Sequence, residues 1–227
     1  GDYIPKVLVG NFYDNIVQIQ LLTRKGFPRV YFATKNNKKY VIKGPLTQQD
    51  VDQILFTENV KKVLKQKHLN IKFKKWNNNY WMISDSLVDY TNDYKVKNSK
   101  IESMRPIYDG PNANCNFDET IKNNPKKLVL CAIFKSIVGA TDWAARNFLV
   151  KGKKIYSIDD HSTMNQDVKL LPSKIKKETK KLWELYIKNN RNTIIKKINK
   201  WNKKITKSDL NSKDILIKRI KNIIDLF

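Results

Sequence analysis

The stretch from residue 137 to residue 162, "IVGATDWAARNFLVKGKKIYSIDDHS", decides how the fold of this 227-residue chain is interpreted. Two apolar runs, "FLV" and "KIYSI", flank the glycine-containing sequence "KGK" and predict a short β-hairpin. Asp142, Asn147, Asp159 and Asp160 interrupt runs that would pack well without them. Their side-chain oxygens are ligands that Mg²⁺ takes in proteins. The stretch therefore predicts strands that hold oxygen ligands rigidly around a metal ion.

The spacing of these polar residues fits phosphoryl transfer. Asp142 and Asn147 match the Asp-x-x-x-x-Asn pattern of a catalytic loop, in which a carboxylate orients the acceptor hydroxyl and an amide oxygen binds the metal. Asp159 follows the predicted hairpin and is the second candidate metal ligand. Asp160 is a further candidate, either for a metal contact or for a contact with the residues that hold the metal. The alternative is structural: Asp142 and Asn147 would form a helix cap and a turn, and the other two a surface turn.

The first third of the chain alternates β-rich runs with turns. The runs cover residues 16–22, 30–34 and 40–43, and "TRKGFP" and "KNNKK" between them have turn composition. The sequence "TQQDVDQILFTENVKKVLKQK" then has helical spacing, with Thr47 as the N-cap. A second hairpin is predicted around "NNN". The order is strands, one helix and strands, which predicts a small α+β lobe over residues 1–88.

The rest of the chain is predicted to be mainly helical. Residues 89–117 are polar and are interpreted as a connector, and residues 126–137 form a strongly apolar core helix. After the metal-binding stretch, two lysine-rich segments have apolar residues at helical spacing, so core packing is favoured over a membrane-surface role. The predicted fold class is α+β: a two-lobed protein-kinase-like fold with a β-rich N-lobe over residues 1–88 and a reduced, mainly helical C-lobe over residues 89–227.

A lysine completes this arrangement in the first lobe. Lys43 closes the predicted strand "KYVIKG", in the place where kinases have the lysine that binds the α- and β-phosphates of ATP. Carboxylates on the helix that follows are candidates to orient its ammonium group. Ile83 lies in the apolar sequence that would contact adenine, although the same residue suits a core equally well.

Several motifs resemble the phosphoinositide 3-/4-kinase and atypical-kinase family. "GATDWAARNFLV" and "IYSIDDHS" are similar to its Gly-x-x-Asp-x-x-x-x-Asn loop and Ile-Asp-x-Gly-His turn, and "VIKGPLTQQDVDQIL" to its strand lysine and Gln-Asp helix start. The resemblance implies that Asp50 lies near Lys43, with Glu58 in that role if the helix is arranged as in ordinary protein kinases. "TRKGFPRVYF" is similar to the family's phosphate-covering loop, which implies phosphate contacts for three residues: Arg24, Lys25 and Gly26.

The chain also departs from this family. It has no G-x-G-x-x-G loop, and in "IDDHS" Asp160 stands where phenylalanine is usual and His161 lies one position early. His161 is interpreted as a turn histidine beside a carboxylate, with a general base or phosphate contact as the alternative. These departures leave open a catalytically inactive module.

The net charge of +24 predicts a polyanionic partner, either nucleic acid, anionic lipid or an acidic protein. The alternative is a solvated lysine-rich surface. Two cysteines without C-x-x-C spacing argue against a disulfide scaffold and a zinc site, and no apolar run is long enough to span a membrane. An intracellular location, cytoplasmic or nuclear, is expected, with a virion or an infected host cell as another setting.

Together these features predict a phosphotransferase that uses ATP with Mg²⁺, or Mn²⁺ in its place, and transfers the γ-phosphate to a hydroxyl, on protein more than on lipid. Asp142 would orient the hydroxyl and accept its proton, while Asn147, Asp159 and Asp160 contact the metal. The rival hypothesis is a kinase-like module without activity that binds nucleic acid or another polyanion.

Overall fold

The structure is a computed structural model, and it describes residues 13, 15–19, 28–87, 94–97, 100–104, 113–143, 147–163, 167–172 and 175–227. The predicted phosphate-covering residues Arg24, Lys25 and Gly26 lie outside the described residues.

The chain divides into two compact units, each made of two segments. Unit 1 comprises Gly1–Val51 and Leu69–Arg105, and unit 2 comprises Asp52–His68 and Pro106–Phe227. The division differs from the sequence-based boundary at residue 88. The first helix explains part of the difference, because its residue Val60 and the following Leu64 belong to the helical core of unit 2.

Unit 1 is built on one seven-stranded sheet. Its order is β4-β5-β3-β2-β1-β7-β6, and every neighbouring pair is antiparallel except β1 and β7, which are parallel. The strands are β1 (Asn15–Ile19), β2 (Arg29–Lys35), β3 (Lys38–Leu46), β4 (Lys72–Trp76), β5 (Asn79–Asp85), β6 (Tyr94–Lys97) and β7 (Lys100–Met104).

Strands β6 and β7 correct the prediction that residues 89–117 are only a connector. Their sequences "YKVK" and "KIESM" are polar, which is why composition alone suggested a loop. Strand β6 is an edge strand, and lysines on an edge oppose pairing with another chain.

Asparagine pairs form the two tight turns that the sequence predicted. Asn36 and Asn37 connect β2 to β3 with φ of 50° and 62°, and Asn77 and Asn78 connect β4 to β5 with φ of 48° and 63°. Asparagine tolerates the left-handed region that a two-residue hairpin turn requires at both positions.

The core of unit 1 lies on one face of the sheet, where Trp81 is its largest member. The indole lies against Gly44, and a Cβ atom at that position would sit 2.6 Å from the ring. Only glycine therefore allows β3 to approach Trp81 this closely. The other core residues are Tyr13, Tyr31, Ala33, Ile42 and Ile83.

Unit 2 is mainly helical, as predicted, and contains one β-hairpin. Helix α3 is buried from Leu128 to Ile137 and lies at the centre of the unit. The elements are α1 (Gln48–Val63), whose first turn belongs to unit 1, α2 (Ala113–Asn123), α3 (Pro125–Ile137), β8 (Phe148–Lys151), β9 (Lys154–Ser157), α4 (Lys177–Asn189), α5 (Arg191–Lys207) and α6 (Lys213–Asp225).

The lysine-rich helices contribute their apolar faces to the core, which confirms the packing role predicted for them. Trp183 of α4 and Trp201 of α5 are 1% and 0% exposed. Among the described helices, none is long and apolar enough to cross a bilayer. The element order is strands, one long helix, more strands, and then helices around a hairpin. This is the order predicted for a protein-kinase-like fold, and the predicted α+β class is confirmed.

Candidate functional site

The backbone of unit 2 brings the predicted catalytic loop and the predicted metal turn together. Thr141 N donates to His161 O at 3.2 Å, and Ile158 N donates to Asn147 O at 3.0 Å. Asp142 follows Thr141, and Asp159 follows Ile158. Asn147, at one end of the Asp-x-x-x-x-Asn loop, is therefore hydrogen-bonded to the residue before Asp159. Asp142, at the other end, is next to a residue that is hydrogen-bonded to His161.

Asn147 is held at the start of hairpin strand β8. It is 4% exposed, and its Nδ2 makes a long hydrogen bond of 3.5 Å to the carbonyl oxygen of Asp142. This bond orients the amide and assigns its nitrogen to the loop. The remaining amide atom, Oδ1, is the one with metal-ligand capacity.

Asp159 has an unusual backbone conformation at the exit of β9. Its φ is 55°, in the left-handed region, where aspartate is more common than most residues other than glycine. Its side chain is 35% exposed, and its Oδ1 lies 3.7 Å from His161 Nδ1. The contact agrees with the interpretation of His161 as a turn histidine beside a carboxylate.

Asp160 points the other way, into the core of unit 2. Its side chain is 3% exposed, and its Oδ1 accepts hydrogen bonds from Lys135 Nζ and Ser157 Oγ, both at 2.8 Å. Lys61 Nζ lies 3.1 Å from the other oxygen, Oδ2, as an ion pair. This environment contradicts the prediction that Asp160 contacts the metal, because both oxygens already face buried ammonium groups.

Lys61 and Glu58 complete this buried cluster. Lys61 Nζ donates to Glu58 Oε1 at 2.9 Å, and the two side chains are 4% and 7% exposed. Glu58 stays a predicted partner of Lys43, and its carboxylate is paired with Lys61 in the interior of unit 2. We call Glu58, Lys61, Lys135 and Asp160 the buried ion cluster; it contains two positive and two negative groups.

The electrostatics of the buried ion cluster follow from its pairing. Burial would raise the pKa of Asp160, but the ammonium groups of Lys135 and Lys61 outweigh it and hold that pKa below its ordinary value. Burial would lower the pKa of Lys61, and the Asp160 and Glu58 carboxylates reverse this and raise it. All these effects keep the paired, charged forms in place.

Lys43 and Asp50 lie in unit 1. Lys43 occupies β3 between Val30 of β2 and Met82 of β5, and the strand continues beyond its predicted end at Lys43 to Leu46. Asp50 Oδ2 accepts hydrogen bonds from Thr47 N at 2.9 Å and Thr47 Oγ1 at 3.0 Å, and Asp50 N donates to Thr47 Oγ1 at 3.1 Å. This reciprocal cap confirms Thr47 as the N-cap and gives Asp50 a structural function at the start of α1.

Ile83 is 8% exposed and packs in the core of unit 1. This is the alternative that the sequence left open for it, and adenine contact by the same strand stays a prediction.

The donor set around Asp159 suits Mg²⁺. Asp142, Asn147 and Asp159 offer only oxygen atoms as ligands, and Mg²⁺ prefers one or two protein carboxylates together with phosphate and water oxygens. Within the described residues, no group of three or more His, Cys, Asp or Glu side chains forms a self-sufficient metal cage.

Sequence reasoning missed Lys61, Lys135 and Ser157. A signal for Lys135 was present, because it is the only charged residue among thirteen in "LVLCAIFKSIVGA". Lys61 stands seven residues after Ile54 and three before Leu64, so it shares the buried face of α1. A lysine at a core position needs a buried carboxylate as its partner, and a buried carboxylate likewise needs a positive group.

Comparisons with known proteins add a fold likeness only. No family model and no curated protein matches the chain. It is similar to a chain of the Shewanella oneidensis MR-1 toxin–antitoxin complex of HipA, HipB and operator DNA, with 12% identity, a TM-score of 0.48, and coverage of 98% of this chain and 70% of that one. It is also similar to the Helicobacter pylori proinflammatory kinase CtkA, with 11% identity, a TM-score of 0.39 and 92% coverage of both chains. Likeness at this level assigns no activity.

Proposed function

We propose that this protein is an ATP- and Mg²⁺-dependent phosphotransferase of the atypical-kinase type. The observation that carries the proposal is the hydrogen bonding of the Asp142–Asn147 loop to the turn containing Asp159, through Thr141 to His161 and Ile158 to Asn147. It puts one carboxylate, one amide oxygen and a second carboxylate on adjoining segments of unit 2. Phosphoryl transfer requires this donor set.

Each residue has a separate role in the proposed reaction. Asn147 Oδ1 and the Asp159 carboxylate hold the metal, which would neutralise the phosphate oxygens of ATP. Asp142 would orient the acceptor hydroxyl and accept its proton as the oxygen attacks the γ-phosphorus. The bond from that phosphorus to the β-phosphate oxygen would break, and ADP would leave. Lys43 binds the α- and β-phosphates. The covering residues Arg24, Lys25 and Gly26 remain part of this proposal, as does an adenine contact at Ile83.

The acceptor in this proposal is a protein hydroxyl. The buried apolar residues of α4 and α5 are already used in the core, and these helices carry many lysines that would attract an acidic peptide. A phosphoinositide acceptor is the alternative. Phosphate transfer to a mixed protein extract and to phosphoinositide vesicles, measured side by side with labelled ATP, distinguishes the two.

Two substitutions test the enzyme assignment. Asp159→Asn should weaken Mg-ATP binding at least tenfold, because it removes a charged metal ligand. Asp142→Asn should leave Mg-ATP binding within twofold and lower turnover by about 10²- to 10⁴-fold, the usual contribution of a general base. Asp209→Asn, at an exposed aspartate, is the matched control. Calorimetric titration with Mg-ATP and labelled-phosphate transfer give the two readouts. Wild-type binding and transfer by Asp159→Asn would contradict the proposal.

A second candidate function, nucleic-acid binding, is favoured by the exposed side of α5. A groove of ≈ 330 Å³ there is lined by six residues, of which three are lysines. The pKa of Lys197 on the same helix is lowered by burial first and then by the positive charges of four other lysines. The groove residues are Asn192, Ile195, Lys196, Asn199, Lys200 and Lys203, and the four lysines are Lys65, Lys126, Lys200 and Lys204.

The geometry of this lysine groove suits a phosphate backbone. From Lys196 to Lys207 the helix rises about 16 Å, a length over which duplex DNA carries about ten phosphate charges. Lysines that repel one another in the free protein are stabilised when a polyanion binds. The buried apolar residues of α5 pack in the core. Five of the six residues that line the groove are polar, and Ile195 is the sixth.

Salt dependence tests the lysine groove. Lys200→Glu/Lys203→Glu should weaken binding of a 20-base-pair duplex at least tenfold and reduce the slope of log K against log salt by about 2, since about one counterion is released per phosphate contact. Lys218→Glu/Lys221→Glu on α6 changes the same charge at the same spacing and is the control. Equal losses in both double variants would show that net charge alone attracts the duplex and would exclude a site at α5.

A further inference from the structure

The buried ion cluster surrounds the backbone of the residue that we propose as a metal ligand. Lys61 Nζ donates to Ser157 O at 2.8 Å, and Lys135 Nζ donates to Ile158 O at 3.1 Å. Both lysines also contact the Asp160 carboxylate. On one side of Asp159, Lys135 therefore holds Ile158. On the other side, Lys61 and Lys135 both hold Asp160.

Three separate elements meet at this point of unit 2. Glu58 and Lys61 come from α1, Lys135 comes from the last turn of α3, and Asp160 comes from the turn after β9. Lys135 Nζ also lies 5.1 Å from the centre of the Phe148 ring at the start of β8. A shift of α1 or α3 would consequently move the turn.

Stability alone is a poor reason for such a cluster. Four charged groups lose their hydration in the interior, and apolar side chains of similar volume often stabilise a fold as well or better. What apolar side chains lack is direction: the cluster makes hydrogen bonds at defined distances to two carbonyl groups and one carboxylate. It specifies the position of one backbone segment.

We propose that Lys61 and Lys135 are positioning residues, which hold the turn 157–161 through Asp160 and two backbone carbonyls so that Asp159 presents its carboxylate to the metal. The inference rests on the proposed function for the role of Asp159. Asp159 needs such support, because its φ of 55° is a sparsely populated conformation that the surrounding structure must impose. Neither lysine touches the nucleotide or the acceptor in this proposal.

The inference is tested by removing one acid and one lysine of the buried ion cluster together, so that no buried charge is left without a partner. Glu58→Met/Lys61→Met takes away one acid and one base of similar length, and leaves Lys135 paired with Asp160. Asp214→Met/Lys218→Met, at exposed positions of α6, is the matched control. The first readout is amide hydrogen exchange of residues 157–163, and the second is the Mg²⁺ concentration that gives half-maximal ATP binding.

The expected result is a local one. In Glu58→Met/Lys61→Met, amides of residues 157–163 should exchange at least tenfold faster while those of α5 and α6 stay within twofold of wild type, and half-maximal ATP binding should need at least tenfold more Mg²⁺. The control should match wild type in both readouts. A folded variant with unchanged exchange at 157–163 would overturn the inference, and so would faster exchange without a change in the Mg²⁺ requirement.

A milder substitution serves if the double variant does not fold. Ser157→Ala removes only the hydroxyl that donates to Asp160 Oδ1, and at least a threefold faster exchange of the turn is expected. Unchanged exchange would overturn the inference here as well. If the wild-type protein does not bind Mg-ATP at all, the proposed function fails, whereas the exchange data still decide whether the lysines hold the turn.

Discussion

At the scale of single residues, the most informative position is a lysine inside the core. Lys135 is 0% exposed within the most apolar helix of unit 2. Its ammonium group is matched by Asp160 at 2.8 Å and by the carbonyl of Ile158 at 3.1 Å. Removal of one member of a buried pair costs more than removal of both, because the remaining charge has no compensation.

Lys135→Met should therefore destabilise the protein strongly. We expect a loss of about 3 kcal/mol in the free energy of unfolding, mostly from the Asp160 carboxylate that keeps only part of its pairing. Lys127→Met is the control on the same helix, because that exposed lysine donates to a carbonyl at 3.0 Å, and it should cost less than about 0.5 kcal/mol. Urea unfolding with equal m values measures both. Similar small losses in the two variants would mean that the buried pairing contributes little.

Cys131 gives a prediction at alkaline pH. Burial raises the pKa of its thiol to about 12, against smaller opposing effects from Lys135 and Lys61. Because the thiol pKa is raised in the folded state, this group contributes its full stabilisation at pH values below its ordinary pKa of 9.0. The contribution is lost as the pH rises towards 12. Above pH 9, wild type should lose up to about 1.4 kcal/mol per pH unit more than Cys131→Ala. Parallel stability–pH curves for the two proteins would contradict this.

At the scale of elements, local chemistry was sufficient wherever a turn or cap has a strong signal. The Asn-Asn turns, the Thr47 cap, helix α3 and the hairpin β8–β9 follow from turn residues, capping residues and apolar periodicity. Strands β6 and β7 do not, because β7 pairs with β1, which lies about eighty residues earlier in the chain, and β6 pairs only with β7. A polar four-residue strand has no local signal that separates it from a loop.

The candidate site likewise has one feature that the sequence predicted and one that it did not. The sequence motifs identified a loop and a turn whose backbones are hydrogen-bonded to each other, through Thr141 to His161 and Ile158 to Asn147. The distinction between Asp159 and Asp160 was not predictable, because it depends on which of two adjacent carboxylates faces Lys61 and Lys135. Side-chain direction at a residue with positive φ is set by tertiary contacts.

The cap of α1 can be tested as an element. Thr47→Ala removes the oxygen that accepts from Asp50 N at 3.1 Å and leaves the Asp50 carboxylate with the backbone N–H alone. We expect a loss of about 1 kcal/mol in the free energy of unfolding. Thr206→Ala is a matched control, because its hydroxyl donates to Asn202 O within α5 and caps no terminus. Chemical denaturation should show an effect in the first variant only; equal effects would exclude a capping role.

At the scale of the whole molecule, charge is arranged differently inside and outside. The chain carries a net charge of +24, yet the buried ion cluster of unit 2 balances two lysines with two acids. The excess of lysine is therefore a property of the surface, and α5 is one place where it collects. ATP, itself a polyanion, would be attracted to such a surface even without a catalytic site, so a test of function has to separate general attraction from metal-dependent binding.

Measurements of stability with and without ligand separate general attraction of ATP from Mg²⁺-dependent binding. A ligand at 100 times its Kd stabilises the native state by about 2.7 kcal/mol, and binding at the proposed site requires Mg²⁺ on Asn147 and Asp159. Wild type should thus be stabilised more by ATP with Mg²⁺ than by ATP with a chelator, and Asp159→Asn should lose this difference. Lys200→Glu/Lys203→Glu should keep the Mg²⁺-dependent increment, because the lysine groove is not part of that site. If the increment is the same with and without Mg²⁺, and the same in Asp159→Asn, ATP binds only as an anion and the protein is the inactive basic module of the rival hypothesis.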